Sequence, residues 1–86
     1  MIIDYSRTFI KSFKKCSSGI KNSFAEKILL FSQNKFHPQL SNHALHGKFS
    51  MFRSINISGD WRVIFQELSK DKILLVNIGT HSELYK

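Results

Sequence analysis

The chain is poor in the residues that staple or break small folds, with one cysteine, one proline and four glycines among 86 residues. A single cysteine, Cys16, excludes an intramolecular disulfide. With the four histidines scattered, it also excludes the paired ligand spacing of a zinc finger. Such thiol usage fits a reducing compartment. Apolar runs are short, none approaching the roughly 20 residues that span a bilayer. The N-terminus, Met1-Ile2-Ile3-Asp4-Tyr5, has no basic segment ahead of an apolar stretch, so no secretory signal is read there. No membrane association is expected, and the expected location is the cytoplasm. The length allows one domain, 1–86. A chain this small buries only about two-thirds of its unfolded surface, which makes stability marginal and a tight partner valuable.

Acidic residues are also scarce. Six Asp and Glu stand against thirteen Lys and Arg, a net charge of +7. The surplus is uneven, because residues 1–50 carry eight cations against Asp4 and Glu26, whereas residues 51–86 carry five against four. Part of any such surplus is ordinary solvated surface. Its size in so small a domain nevertheless favours a polyanionic partner, either nucleic acid or an acidic protein segment.

Periodicity divides the chain into a helical half and a strand half. Ile2 to Tyr5 reads as a short strand, after which Ser6 can cap a helix that places Phe9, Ile10 and Phe13 on one face. Ser17-Ser18-Gly19 ends it, with Gly19 suited to a left-handed terminus. A second helix follows with the stripe Ile20, Phe24, Ile28 and Phe31, flanked by Ala25 and Leu29. This aromatic stripe is core rather than a ligand box. Residues 34–42, which include Pro38, form a connection. Beyond it the period becomes two: 52–57 sets Arg53, Ile55 and Ile57 against Phe52, Ser54 and Asn56, and 61–68 aligns Trp61, Val63 and Phe65. Lys72 to Ile78 is a third strand of this meander, with tight turns at 58–60 and 69–71. The order β-α-α-β-β-β implies an α+β fold, a helical hairpin on one face of a twisted, largely antiparallel four-stranded sheet, with the other face left for function.

All four histidines lie outside the hairpin, and His43, His46 and His81 flank the expected sheet. Histidine exchanges protons near neutrality, which acid/base work on a phosphodiester requires. RNA cleavage needs a base for the ribose 2′-hydroxyl, an acid for the leaving 5′-oxygen, and a cation for the phosphorane. An aromatic to stack a base completes such a site. Asp60, Trp61, Arg53, Arg62 and Tyr85 supply those types. Each also has an ordinary reading: Asp60 a turn former, Trp61 a core residue, Arg53 and Arg62 solvated strand residues, Tyr85 a fraying terminus. Spacing alone favours the ordinary readings.

Four segments carry a resemblance: His43-Ala44-Leu45-His46-Gly47, Phe52-Arg53-Ser54, Gly59-Asp60-Trp61-Arg62-Val63-Ile64-Phe65, and the ending Ile78-Gly79-Thr80-His81-Ser82-Glu83-Leu84-Tyr85-Lys86. Together they resemble the RelE/ParE superfamily of bacterial type II toxin–antitoxin toxins, in its branch of YafQ-like mRNA interferases. The motifs cover roughly 40–86, and the first half agrees in length, helical hairpin and basic character. The resemblance implies a RelE-like fold and a metal-independent endoribonuclease, without cofactor, that cleaves mRNA at the ribosome. It also implies a cognate antitoxin with a DNA-binding N-terminal part and an acidic C-terminal segment. His81 resembles the C-terminal catalytic histidine, Asp60 the acidic residue before the aromatic, His43 the histidine opening the H-x-L-x-G segment, and Arg62 the phosphate-binding strand arginine. Tyr85 resembles the terminal aromatic that stacks the scissile base, with Trp61, Arg53, Lys48 and Asn56 completing the substrate-binding set. The sequence departs from the family at Asn56, where a histidine is expected, and at Asn77, where an arginine is. Asparagine transfers no proton, so Asn56 is not the base, and the phosphate clamp falls to Arg53 or Arg62. The alternatives are a ParE-like toxin that inhibits a protein target such as gyrase, or an RNA-binding toxin with weakened catalysis.

Overall fold

Ser6 explains how the first strand turns into the first helix. In a computed structural model that describes residues 1–85, its Oγ accepts from the Phe9 amide at 2.9 Å and donates to the Val76 carbonyl at 2.6 Å. One side chain thus caps a helix and ties it to a strand 70 residues away. Lys86, the last residue of the C-terminal motif, lies outside the described residues. Ser6→Ala is expected to cost about 0.5–2 kcal/mol, the usual worth of an N-cap. Urea unfolding followed by circular dichroism measures it.

The strands are β1 (Ile2–Tyr5), β2 (His43–Ala44), β3 (Arg53–Ser58), β4 (Trp61–Ser69) and β5 (Lys72–Thr80). The helices are α1 (Arg7–Lys14), α2 (Ser18–Gln33) and the short α3 (His81–Leu84), with 3-10 turns at Pro38–Leu40 and Gly47–Phe49. The sheet runs β1-β5-β4-β3-β2, with β1 parallel to β5 and every other pairing antiparallel. The sheet therefore has five strands rather than four, because His43–Ala44 pairs with Ser54 and Arg53. The fold class is the expected one.

Helix α1 lies against β5 and α2 against β3. Phe9, Phe24 and Phe31 meet Ile55, Ile57, Val63, Phe65, Ile73 and Leu75 in one core, which Leu40 of the 3-10 turn seals. Phe31 and Phe65 meet edge to face with centroids 5.0 Å apart. Ile10 and Leu29 differ from expectation, being 44% and 59% exposed. At 100° per residue each sits a quarter turn from its neighbour on the buried line, Phe9 or Ile28, and so rides the flank. Gly19 also differs: it lies in the first turn of α2, which Ser17 caps by accepting from the Ile20 amide. The positive-φ glycines are Gly47 and Gly59. A second serine cap, not a left-handed glycine, separates the helices. No helix among the described residues is long and apolar enough to cross a membrane.

Alternation along β4 turns Trp61, Val63 and Phe65 to the helices and Arg62 and Ile64 to the other face. That face is partly covered, since Ile64 and Ser54 are buried. The segment after β2 folds back through Leu45 N–H to Phe52 O and Phe49 N–H to His46 O. What remains open on this face is a cleft near the end of β5.

Candidate active site

The position of His81 follows from a capping box. Thr80 Oγ1 accepts from the Glu83 amide, and Glu83 Oε1 accepts from the Thr80 amide at 2.8 Å. This reciprocal pair starts α3 directly at the end of β5, so His81 flanks the sheet as the first residue of a helix. The His81 amide donates to the Asp60 carbonyl at 3.1 Å, which fastens α3 to the β3–β4 turn. Buried Leu84 anchors the helix from below. Gly79 permits the close approach, because a Cβ there would lie 3.3 Å from Glu83 Oε1 and 3.4 Å from Leu84 Cδ2. One helical turn on, the Tyr85 ring stands 4.7 Å from the His81 ring and 5.6 Å from that of Phe49.

Arg62 reaches the same place from β4. Its Nη1 donates to Asn56 Oδ1 and to the Gly59 carbonyl, both at 2.8 Å, and to the Trp61 carbonyl at 3.2 Å. Nε and Nη2 take no part in these bonds. Asn56, on β3 beside Arg62, therefore serves as the support that orients the guanidinium.

His43 and His46 come from β2 and the turn that follows it. His43 Nδ1 lies 2.8 Å from the Ser41 carbonyl, and a carbonyl only accepts, so Nδ1 carries the proton and Nε2 of the neutral ring is left with its lone pair. His46 precedes the 3-10 turn, where Gly47 takes φ +63°, and its imidazole makes no cap bond. With Leu45 these groups enclose a cleft of about 330 Å³ whose walls are His43, His46, Phe49, Arg62, His81 and Tyr85. Among the described residues that line it there is no Asp or Glu. Lys48 stands at its edge with Nζ 5.3 Å from the Phe49 ring centre. Such a cleft combines a guanidinium, three imidazoles and two aromatic rings, groups whose chemistry suits binding an anion, exchanging protons and stacking a base.

His43, Arg62, His81 and Tyr85 thus line one cleft, Lys48 and Asn56 adjoin it through Phe49 and Arg62, and Asp60, Trp61 and Arg53 are not among its lining residues. Asp60 contributes its backbone carbonyl to His81, and its carboxylate is outside the lining. Trp61 packs on the core, on the side of Ser12 and Cys16. Arg53 donates from Nε to Asn42 Oδ1 at 2.8 Å and lies over Phe36, so of the two arginines only Arg62 can clamp a phosphate in the cleft. Asn77 accepts from the Ile78 amide and does not line the cleft. Phe49 is the residue that sequence reasoning missed, and His46, named with the histidines flanking the sheet, was given no role in the site. Gly47 was their signal, since a glycine in left-handed conformation makes the turn that presents both.

Two further groups bear on the chemistry. Burial pushes the Cys16 thiol up from its ordinary value, Lys21 opposing the rise and Glu83 adding to it, which disfavours the thiolate. Among the described residues no three His, Cys, Asp or Glu side chains are grouped as metal ligands.

No curated protein sequence is similar enough to count as a relative. Among solved structures, YafQ from E. coli strain BL21(DE3) is similar over 98% of this chain and 97% of its own, at TM-score 0.82 and 22% identity. The E. coli DinJ–YafQ toxin–antitoxin complex matches over 98% and 96%, at TM-score 0.74 and 22% identity. A copper-bound mutant toxin from Helicobacter pylori matches over 99% of both chains, at TM-score 0.72 and 26% identity. The residue pattern of the family "Bacterial toxin of type II toxin-antitoxin system, YafQ" matches residues 1–86. This chain therefore belongs to the YafQ family of toxins of bacterial type II toxin–antitoxin systems.

Proposed function

We propose that this toxin is an endoribonuclease that cuts mRNA without a metal ion. The observation that carries the reading is the convergence of His43, His81 and Arg62 on one cleft, with no carboxylate side chain among the described residues that line it. His43 Nε2, made the acceptor by the Ser41 carbonyl behind Nδ1, takes the proton of the ribose 2′-hydroxyl. The 2′-oxygen then attacks the adjacent phosphorus, and Arg62 stabilises the charge that grows on the phosphorane oxygens. Protonated His81 gives its proton to the leaving 5′-oxygen, so the products are a 2′,3′-cyclic phosphate and a free 5′-hydroxyl. Tyr85 and Phe49 offer ring faces for a base. Asp60 acts through its carbonyl, as a positioning residue for His81.

The partner is a cognate antitoxin whose acidic segment meets the +7 surface. Support for a protein partner comes from the similar E. coli toxin, solved with the antitoxin DinJ. Toxin and substrate would meet in the cytoplasm, at translating ribosomes.

The test is cleavage of mRNA in a translating extract and of RNA by purified protein, each in excess chelator. Cutting should persist in chelator and leave cyclic phosphate ends. Arg62→Ala should slow it by about 100- to 1,000-fold, the range for losing one group that stabilises transition-state charge. Asn56→Ala should give a smaller loss, since the guanidinium remains but its support does not. Activity abolished in chelator and restored by magnesium alone would overturn the mechanism. Intact RNA in every assay would favour a protein target.

A further inference from the structure

Outside the cleft, the chain maintains an exposed aromatic ring with a cation fixed on it. Phe36 is 61% exposed, and the Arg53 guanidinium carbon stands 5.6 Å from the ring centre. The arrangement is built by its neighbours. Asn34 Oδ1 accepts from the Phe36 amide at 3.0 Å. Asn42 bridges Arg53 and the peptide ahead of Phe36, its Nδ2 donating to the Lys35 carbonyl at 2.9 Å while its Oδ1 accepts from Arg53 Nε at 2.8 Å. The Lys35 ammonium is itself held by Glu67 at 2.9 Å. Leaving a phenylalanine mostly in water forfeits burial that a small core needs. Here that exposure comes with a network that holds the peptide before the ring and the arginine beside it.

We propose that Phe36 and Arg53 form a second RNA subsite, which holds a nucleotide flanking the one in the cleft. This rests on the nuclease reading and extends it to the path of the substrate. Register places the two sites. His43 pairs with Ser54 and Ala44 with Arg53, so His43 and Arg53 point to opposite faces of the sheet across its last strand. That strand, β2, is two residues long and forms the edge, so a single RNA strand can pass from the cleft over it. Asn42, which fixes Arg53, is the residue immediately before His43. A ring face stacks a base of any identity, and a guanidinium beside it adds a second stacking plane and N–H donors for phosphate. Charge alone also suits an acidic peptide. The exposed ring face, together with the place of Asn42 immediately before His43, favours a nucleotide.

The experiment compares single-stranded RNA that fills only the cleft, 4 nucleotides on the order of one module's site, with RNA near the upper end, about 16. Binding is measured by fluorescence anisotropy in a His81→Ala background, and cleavage separately in wild type. Phe36→Ala should weaken the long RNA about 5- to 150-fold, the worth of one stacked base, and leave the short RNA unchanged. Phe36→Trp should retain long-RNA binding, and circular dichroism with antitoxin binding should confirm that each variant is folded. Equal effects on both lengths, or none on the long one, would overturn the subsite. So would loss of antitoxin affinity with RNA binding intact, which would assign the surface to the protein partner. Long-RNA binding that depends on Phe36 in a protein that cuts nothing would sustain the subsite and remove the nuclease reading. Normal cutting with no dependence on Phe36 would do the reverse.

Discussion

Replacing His81 with alanine should slow RNA cleavage by about 100- to 10,000-fold, the usual worth of a placed proton-transfer group. Growth arrest should vanish with it. The fold should survive, because the His81 side chain is exposed and helix α3 is started by Thr80 and Glu83. The bond to Asp60 also survives, since it uses the His81 amide. His81→Gln should be about as inactive as alanine, for glutamine keeps hydrogen bonding but transfers no proton. Asp60→Asn should change the rate far less, because the contribution of Asp60 to the site is its carbonyl. Primer extension in a translating extract reads the cutting, and circular dichroism with antitoxin binding reads the fold. A folded His81→Ala protein that cuts at the wild-type rate would remove the catalytic assignment. Loss of activity in Asp60→Asn as deep as in His81→Ala would return the carboxylate to the chemistry.

The largest effect on stability should come from Phe65→Ala. Phe65 is fully buried in β4, and its ring meets that of Phe31, also fully buried, at the junction of sheet and helices. Truncating a buried phenylalanine costs about 3–5 kcal/mol, through lost burial and the cavity left behind. Domains have only about 5–15 kcal/mol in total, and a small one sits low in that range. The variant should therefore be partly unfolded at 37 °C and recover structure when the antitoxin is added, because a partner that binds only the folded state stabilises it by mass action. Leu29→Ala, on the exposed flank of α2, should stay within about 0.5 kcal/mol of wild type. Urea titration of both variants, with and without antitoxin, checks the contrast. Equal destabilisation at the two positions would contradict this division between core and flank.

Much of the architecture is local and was legible in the residues. Ser6 and the alternation of 61–68 each act over a few residues, and each appears in the structure as the pattern implies. The same alternation already grouped Arg53 with Ile55 and Ile57, and Trp61 with Val63 and Phe65. The structure turns both groups toward the helices, which takes Arg53 and Trp61 out of the cleft. The capping box Thr80-His81-Ser82-Glu83 is equally local, yet helix α3 was not read from it. Strand β2 left no pattern, for two exposed residues carry no period, and only its partner β3 makes it a strand.

What the sequence determined by itself was the family, the fold class with its two long helices and four of its strands, the basic charge and the chemical types that the site draws on. Which of those groups meet was decided by tertiary structure. His43, Arg62 and His81 are separated by 19 residues at each step, so their convergence depends on the register of β2 on β3, of β3 on β4, and on the turn that bonds Asp60 to His81. A shift of one residue in any of those pairings would send a side chain to the other face of the sheet. Register is set by burying Ile55, Val63, Phe65 and Leu75 under the helices, a cooperative event of the whole core that no short stretch of the chain contains.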